Sequence, residues 1–165
     1  MQRCSGDRWA LACLAILFVA GCSGETVGGP DLSKLVPVKG IVTLDDKPLA
    51  DATVAFHPKT KEGFQGAIGT TDASGKYELV TEAGNGKTVK GVLPGFYQVT
   101  VSKMVKQDGT PFIYKGEPGG PMSMGAVESI PMLYATVSER GLSFDVPAGG
   151  GTYDIKMEPK GPGEL

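Results

Sequence analysis

Apolar and polar residues alternate with a period of two over most of the chain from residue 36 onward. This period is typical of a β-strand with one buried face, because successive side chains of a strand point to opposite sides of the sheet. Seven runs of this kind are present, and a short one, residues 66–71, leads into a turn. The side chains predicted to point inward in the other six runs are Val38, Val42, Leu44, Ala52, Val54, Phe56, Tyr77, Leu79, Tyr97, Val99, Val101, Leu142, Phe144, Val146, Tyr153, Ile155 and Met157.

Seven half-buried strands without a convincing amphipathic helix predict an all-β domain, and 25 glycines and 12 prolines are available for its turns. Each strand has one apolar face, so two sheets have to pack against each other. The sequence therefore predicts an antiparallel β-sandwich. In the turn at residues 72–75 we expect Asp72 to bond to the backbone and Gly75 to adopt a positive φ. The residues expected to be buried in the core include Val54, Phe56, Tyr97, Val99 and Phe144.

A segment without this alternation, residues 106–141, separates the fifth and sixth strands. It carries four prolines and a centre rich in glycine, and loops of this length in a compact domain are usually functional or disordered. We call it the insert, and we expect a mobile centre rather than a defined ligand site. The residues expected to hold its two ends against the sandwich are Phe112, Ile113, Ile130, Leu133 and Tyr134. The candidate binding residues of this loop are Phe112, Tyr114 and Tyr134.

The N-terminus has an apolar run of a different kind. Arg3 and Arg8 accompany twelve apolar residues, 9–20, and the segment closes with Val19-Ala20-Gly21-Cys22. A charged, an apolar and a small-residue zone in this order are typical of a secretory signal peptide. Twelve residues are too few to cross a bilayer, which requires about 20 helical residues.

Because the small-residue zone ends in Cys22, it resembles the lipobox of bacterial lipoproteins. The resemblance implies that residues 1–21 are removed and that the lipidated Cys22 anchors the protein in the cell envelope. The alternative is a plain secretory signal with an incidental cysteine. Residues 22–35 contain several glycines and predict a flexible tether. Ser23 follows the cysteine where inner-membrane lipoproteins usually have aspartate, so we expect the outer membrane, on its periplasmic side or at the surface.

The charge and the cysteine content of the chain limit the classes of partner and the covalent cross-links that we expect. Sixteen basic and 18 acidic residues are interspersed along the chain, which gives a net charge of −2 without a basic stripe. Nucleic acid is therefore not an expected partner. Cys4 and Cys13 lie in the signal segment, so a mature chain that begins at the lipidated Cys22 has no disulfide. The expected partners are the membrane, through the anchor, and an unidentified envelope protein or glycan.

Four stretches of the alternating region resemble carboxypeptidase regulatory-like domains. Residues 38–44 and 47–56 are similar to the opening of these domains, residues 71–79 to their central hairpin, and residues 93–101 to their Pro-Gly-x-Tyr strand. The resemblance implies a transthyretin-like (prealbumin-like), seven-strand, Greek-key sandwich. We place this domain at residues 36–159, with residues 160–165 as a disordered tail.

Two further features bear on the resemblance. The stretch from Ile130 to Ile155 is similar to the closing strands of small envelope lipoproteins that carry this domain. Asp45-Asp46 stands where the family usually has an Asp-Gly turn, so we expect that turn to be longer than usual or strained. In the proteins that give the family its name, this domain is an accessory without peptidase chemistry. The resemblance therefore implies a structural or binding module.

The residues also favour a protein that is not an enzyme. His57 is the only histidine, and position 60, where a His-x-x-Glu pair would have its carboxylate, is Thr60. We expect His57 to be outward and solvated at a strand end. Asp45, Asp46 and Asp51 could gather around calcium, but acidic turn residues more often cap turns. We expect no catalytic residue, no metal and no cofactor.

Two classes of function remain open. One is a non-catalytic, lipid-anchored envelope module with a structural or protein-interaction role, and the other is a carbohydrate-binding module. An exposed cluster of Phe112, Tyr114 and Tyr134 would favour glycan, whereas burial of the same residues would favour the interaction module.

Overall fold

The computed structural model describes residues 31–59, 66–84, 86–114, 116 and 118–159. The predicted signal peptide, Cys22, the first part of the tether and the tail at 160–165 lie outside the described residues. The strands are β1 (Val38–Leu44), β2 (Lys47–Pro48), β3 (Thr53–Pro58), β4 (Ala67–Thr70), β5 (Lys76–Glu78), β6 (Val80–Glu82), β7 (Thr88–Lys90), β8 (Gly95–Ser102), β9 (Met104–Val105), β10 (Val127–Glu128), β11 (Leu142–Val146), β12 (Gly151–Thr152) and β13 (Ile155–Met157). The helices are a 3-10 turn (Leu32–Lys34), α1 (Gly120–Ser123) and α2 (Met132–Ala135).

Two main sheets form the sandwich. In sheet I, β1 pairs with β2, β5, β12 and β13. Sheet II has the order β11-β8-β3-β4-β6-β7, and all its pairs are antiparallel. Within sheet II the chain passes from β3 to β4 and β6, and β8 then returns beside β3, which is a Greek-key arrangement. The prediction of an all-β sandwich is confirmed, and the seven predicted strands are β1, β3, β4, β5, β8, β11 and β13.

Sheet I is mixed, with two parallel and two antiparallel pairs. β1 runs parallel to both β12 and β13, with Val38 opposite Gly151 and Val42 opposite Ile155. The chain reaches β12 from β11, which belongs to sheet II, and not through a hairpin from a neighbour in sheet I. A connection that crosses between sheets does not impose the antiparallel direction that a hairpin does.

The core lies between the sheets and is rich in aromatic rings. Phe56 and Tyr97 of sheet II are fully buried, and the Phe56 ring lies 6.3 Å from that of Tyr153, which follows β12 in sheet I. Val54 and Val99 are buried as predicted. Phe144 is only partly buried, contrary to the prediction, because β11 is an edge strand of sheet II.

The start of β8 is fixed by a tyrosine. The Tyr97 hydroxyl donates to the carbonyl oxygen of Leu93 at 2.7 Å, four residues earlier in the chain. Burial raises the pKa of Tyr97 to about 12, so its hydroxyl keeps the proton that it donates. This bond closes the corner at Pro94-Gly95, and it is the arrangement known as a tyrosine corner in β-sandwiches.

The structure contains both of the turns expected from the sequence, at residues 72–75 and at residues 45–46. Asp72 Oδ1 accepts from the backbone N–H groups of Ser74 (2.8 Å) and Lys76 (3.0 Å), and Gly75 has a φ of 75°. This confirms the predicted capping of that turn.

The hairpin between β1 and β2 is not longer than usual, because Leu44 pairs with Lys47 and leaves a two-residue loop. Asp45 and Asp46 have φ values of 53° and 57°, a left-handed conformation that a side chain disfavours.

The end of the predicted tether is ordered. Residues 32–34 form the 3-10 turn, and the Asp31 carboxylate caps it by accepting from the Ser33 N–H at 3.1 Å. Val36 then bridges to Val92. The Val36–Val92 bridge attaches this segment to the sandwich, so residues 31–35 of the predicted tether have a defined structure.

Candidate functional site

A short two-stranded sheet joins the chain just before the insert to the insert's return. β9 pairs with β10, with Val105 opposite Val127 and Met104 opposite Glu128. Val105 also bridges to Pro111 on its other side. Three extended segments therefore lie side by side at the base of the insert, where the sequence predicted only loop.

Glu128 fixes the return of the insert to the end of β8. Its carboxylate accepts hydrogen bonds from the Ser102 hydroxyl at 2.6 Å, from the Lys103 N–H at 2.8 Å and from the Ser129 N–H at 3.0 Å. Hydrogen bonds to a charged acceptor are stronger than those between neutral groups. A single partly buried carboxylate thus holds two chain segments together. A glutamate in a region without alternation gives no signal of this role in the sequence.

The residues expected to hold the insert against the sandwich differ in burial. Ile130 and Tyr134 are buried in the main core, and the Tyr134 hydroxyl accepts from the Glu158 N–H at 3.2 Å. Phe112 and Leu133 are partly buried. Ile113 is 76% exposed, so the expectation that it packs on the sandwich is wrong. Phe112 N–H still donates a hydrogen bond to Met104 O of β9, and Ile113 is the next residue along the chain.

The three candidate aromatics do not share one exposed surface. Tyr114 is 46% exposed and Phe112 is partly buried, whereas Tyr134 is only 6% exposed. The exposed apolar side chains of the insert are instead mainly aliphatic or methionine. Seven of the eleven large apolar residues that the described part exposes lie between residues 113 and 137: Ile113, Tyr114, Met122, Met124, Val127, Met132 and Val137.

His57 lies on the outer face of sheet II and is partly buried, not solvated as expected. Its Nε2 is 2.9 Å from the hydroxyl oxygen of Thr100 on the adjacent strand β8. The cover comes from the insert, since the side chain of Gln98, opposite His57, donates to Ser138 O at 3.3 Å. Burial lowers the pKa of His57, so the ring is neutral at pH 7. This arrangement is typical of a structural histidine.

No metal centre is evident in the part of the chain that the structure describes. The His, Cys, Asp and Glu side chains there form no group of three that could hold an ion. Asp45 and Asp46 occupy the β1–β2 turn, and Asp51 lies just before β3 with a φ of 55°. The aspartates considered for calcium are therefore turn residues in this structure.

Sequence reasoning missed a shallow cavity of about 330 Å³ on sheet I. It lies where the backbone leaves the ladder between β12 and β13. Tyr153 N–H donates to Lys39 O at 2.8 Å, and the Asp154 carboxylate then accepts from the Ile41 N–H at 2.9 Å, in place of a backbone carbonyl. The residues that line this cavity, which we call the sheet I cavity, are Lys39, Gly40, Ile41, Lys76, Tyr77, Thr152 and Asp154.

A part-buried hydrogen bond fixes Tyr77, one of the residues that line the sheet I cavity. The Tyr77 hydroxyl donates to Tyr153 O at 2.7 Å, and the Tyr77 side chain is only 3% exposed. Burial, reinforced by the negative charge of Asp154, raises the pKa of Tyr77 well above its usual range. The hydroxyl therefore remains a donor. Lys39 and Lys76 occupy ordinary outward positions of strands, so alternation alone does not distinguish them from other surface lysines.

Comparison with known proteins does not place the chain in a family. No protein-family model matches it, and no curated protein does either. Among solved structures, the crystal structure of BcpA, the major pilin subunit of Bacillus cereus, is similar over 76% of this chain, with 10% identity and a TM-score of 0.37. The chain spans 29% of that pilin chain. In the described residues, the helices are all too short or too polar to cross a bilayer.

Proposed function

We propose that the protein is a non-catalytic, lipid-anchored module of the bacterial cell envelope, whose sandwich presents the insert to a partner protein. The observation that carries this proposal is the contrast within the insert. Its base is held by Glu128, Ile130 and Tyr134, whereas Met122 and Met132 are 63% and 57% exposed. Clustered exposed apolar side chains mark interaction sites, and methionine adapts to different partner surfaces.

The anchor rests on the N-terminal segment. Val19-Ala20-Gly21-Cys22 follows an apolar run too short to span a bilayer, which is the order expected of a lipoprotein signal. Each buried methylene of an attached lipid contributes about 0.8 kcal/mol to membrane binding, so two or more acyl chains hold a protein stably. The eight residues between Cys22 and Asp31 would span at most about 29 Å when extended.

A non-catalytic role is supported by the surroundings of His57, and a glycan platform is disfavoured by the burial of Tyr134. The described polar contact of the imidazole is the Thr100 hydroxyl, and no carboxylate of the described residues orients the ring as in a catalytic triad. Tyr134 packs in the core and cannot stack on a sugar together with Tyr114. The interaction role is therefore preferred to sugar binding by the insert.

Cys22→Ala is expected to abolish lipid attachment and to release the protein from the membrane or stall its precursor. The reason is that the cysteine sulfur carries the lipid in this proposal. Metabolic labelling with palmitate and detergent phase partitioning measure the outcome. Cys13→Ala is the matched control, because it removes a cysteine from the apolar run and should leave labelling unchanged. Equal membrane retention of the Cys22→Ala and unaltered proteins would contradict the lipid anchor.

Met132→Glu is expected to abolish the main cross-linked adduct of the protein in intact envelopes. A charge at this exposed position of α2 opposes burial against an apolar partner surface. Chemical cross-linking followed by immunoblotting measures the adduct. Ile68→Glu is the matched control, since Ile68 is similarly exposed (54%) but lies on sheet II outside the insert. An adduct that survives Met132→Glu and disappears with Ile68→Glu would place the interaction surface on sheet II instead.

A further inference from the structure

We propose that the sheet I cavity binds a monoanionic saccharide, such as a uronic acid residue of an acidic glycan. This is a second binding activity, separate from the insert, and it does not depend on the lipid anchor. The cavity volume of about 330 Å³ lies at the lower end of the range for small-ligand sites, about 300–1,000 Å³.

The register of sheet I brings two lysines to this cavity. Lys39 pairs with Glu78 on one side and with Thr152 on the other, and Lys76 pairs with Ile41 one step along the same face. Neither lysine forms an ion pair within the described residues. Glu78, the acidic residue opposite Lys39, pairs with Lys90 at 2.7 Å instead. Both ammonium groups are therefore available to a ligand.

The balance of charge selects the type of anion. Lys39 and Lys76 contribute two positive charges and Asp154 one negative charge, and the Glu78–Lys90 pair is neutral, so the cavity has a net charge of +1. A carboxylate, which carries one negative charge, complements this balance. A phosphate monoester, which carries nearly two negative charges at pH 7, would be less well matched and would be repelled by Asp154.

The remaining groups fit a sugar better than a simple organic acid. Asp154 uses Oδ1 to accept from Ile41 N–H, and its other oxygen has no partner in the described part, so it can accept from a ligand hydroxyl. Thr152, opposite Lys39, adds a hydroxyl to the lining, and Ile41, opposite Lys76, adds an apolar side chain that suits the C–H face of a sugar ring. The lining therefore combines the charged, hydroxyl and apolar groups that an acidic sugar requires.

The cavity is also fixed by the fold. Its lining residue Tyr77 is held by the hydrogen bond to Tyr153 O, and its lining residues Ile41 and Asp154 are bonded to each other. Two larger grooves, of about 620 and 630 Å³, are lined by residues that adjoin the undescribed chain ends, Asp31 in one and Pro159 in the other. The lining residues of the sheet I cavity instead lie within β1, β5 and the β12–β13 segment, away from both chain ends.

Isothermal titration of the full-length protein in non-ionic detergent with methyl galacturonoside, which carries one carboxylate, tests the proposal. We expect binding at millimolar ligand, and no binding of the neutral methyl galactoside. Lys39→Ala and Lys76→Ala should each raise the Kd about tenfold, a change equivalent to about 1.4 kcal/mol. Lys156→Ala is the matched control, because Lys156 lies on the same face of sheet I but outside the cavity, and it should leave the Kd unchanged.

Asp154→Asn separates a saccharide site from a general anion site. Asparagine keeps an oxygen that can accept from Ile41 N–H and raises the net charge of the cavity to +2. We expect the preference for methyl galacturonoside over inorganic phosphate to fall, because the added positive charge favours phosphate and the acceptor for a sugar hydroxyl is lost. The proposal would be overturned if unaltered protein binds no methyl galacturonoside, binds the neutral methyl galactoside equally well, or prefers phosphate or a peptide with a free C-terminal carboxylate. An equal loss of binding with Lys156→Ala would also overturn it, as a non-specific charge effect.

Discussion

Phe56→Ala is expected to lower the free energy of unfolding by about 3–5 kcal/mol, through lost burial and the cavity that remains. The Phe56 ring is fully buried and lies 5.8 Å from Tyr97, 6.0 Å from Phe144 and 6.3 Å from Tyr153. Because these neighbours come from both sheets, its removal weakens the contact between the two halves of the sandwich. The total stability of a domain is typically about 5–15 kcal/mol, so urea unfolding monitored by circular dichroism should show a large shift of the midpoint.

Two further variants provide comparisons for the stability of Phe56→Ala. Ile68→Ala changes a side chain on the neighbouring strand β4 that is 54% exposed, and it should alter the free energy by at most about 0.5 kcal/mol. Phe144→Ala should lie between the two, because Phe144 is only partly buried on an edge strand. If Phe56→Ala were no less stable than Ile68→Ala, the assignment of Phe56 to the centre of the core would be wrong.

The strands and their inward faces could be predicted because alternation is a local property of the sequence. Burial of one face imposes a period of two on each strand separately, whatever its partner is. Val38, Val54 and Ile155 were therefore assigned to the core correctly although they belong to three different strands. The turn at Asp72 was predicted for the same reason, since its hydrogen bonds join residues at most four positions apart.

The parallel pairing of β1 and the insert could not be predicted in this way. Pairing of Val38 with Gly151 depends on the path of the whole chain between them. β9 and β10 contain only two residues each, too few to show a period. Glu128 acts through Ser102 and Lys103, and nothing in its own neighbourhood in the sequence specifies those partners.

The two candidate sites, the insert and the sheet I cavity, also differ in whether the local sequence indicates them. The exposed apolar residues of the insert could be suspected from the sequence, because a long segment without alternation has no strand to bury them. The sheet I cavity could not, since it depends on a contact between Ile41 and Asp154, which are 113 residues apart. Only the register of β1 with β5 shows that Lys39 and Lys76 lie close together on one face of sheet I.

Gly40→Ala is expected to destabilise the protein by about 3 kcal/mol, the upper part of the range for overpacking a core. A Cβ on Gly40 would lie 1.9 Å from Tyr153 O and 2.9 Å from Cε1 of Tyr77. The first of these atoms belongs to the backbone, so the added methyl has to push the chain between β12 and β13 away from β1. This displacement would also break the hydrogen bond from the Tyr77 hydroxyl to Tyr153 O.

Gly149→Ala is the matched control for Gly40→Ala, because a Cβ at Gly149 would meet no atom within 4 Å and its φ is not in the left-handed region. It should change the free energy of unfolding by at most about 0.5 kcal/mol. Urea unfolding of the two variants gives the difference between their free energies of unfolding, which reports on the close approach of β1 to Tyr153. Equal stability of the two variants would contradict that approach. A selective loss in Gly40→Ala would show that the close approach of Gly40, a lining residue of the sheet I cavity, to Tyr153 also holds the C-terminal strands in sheet I.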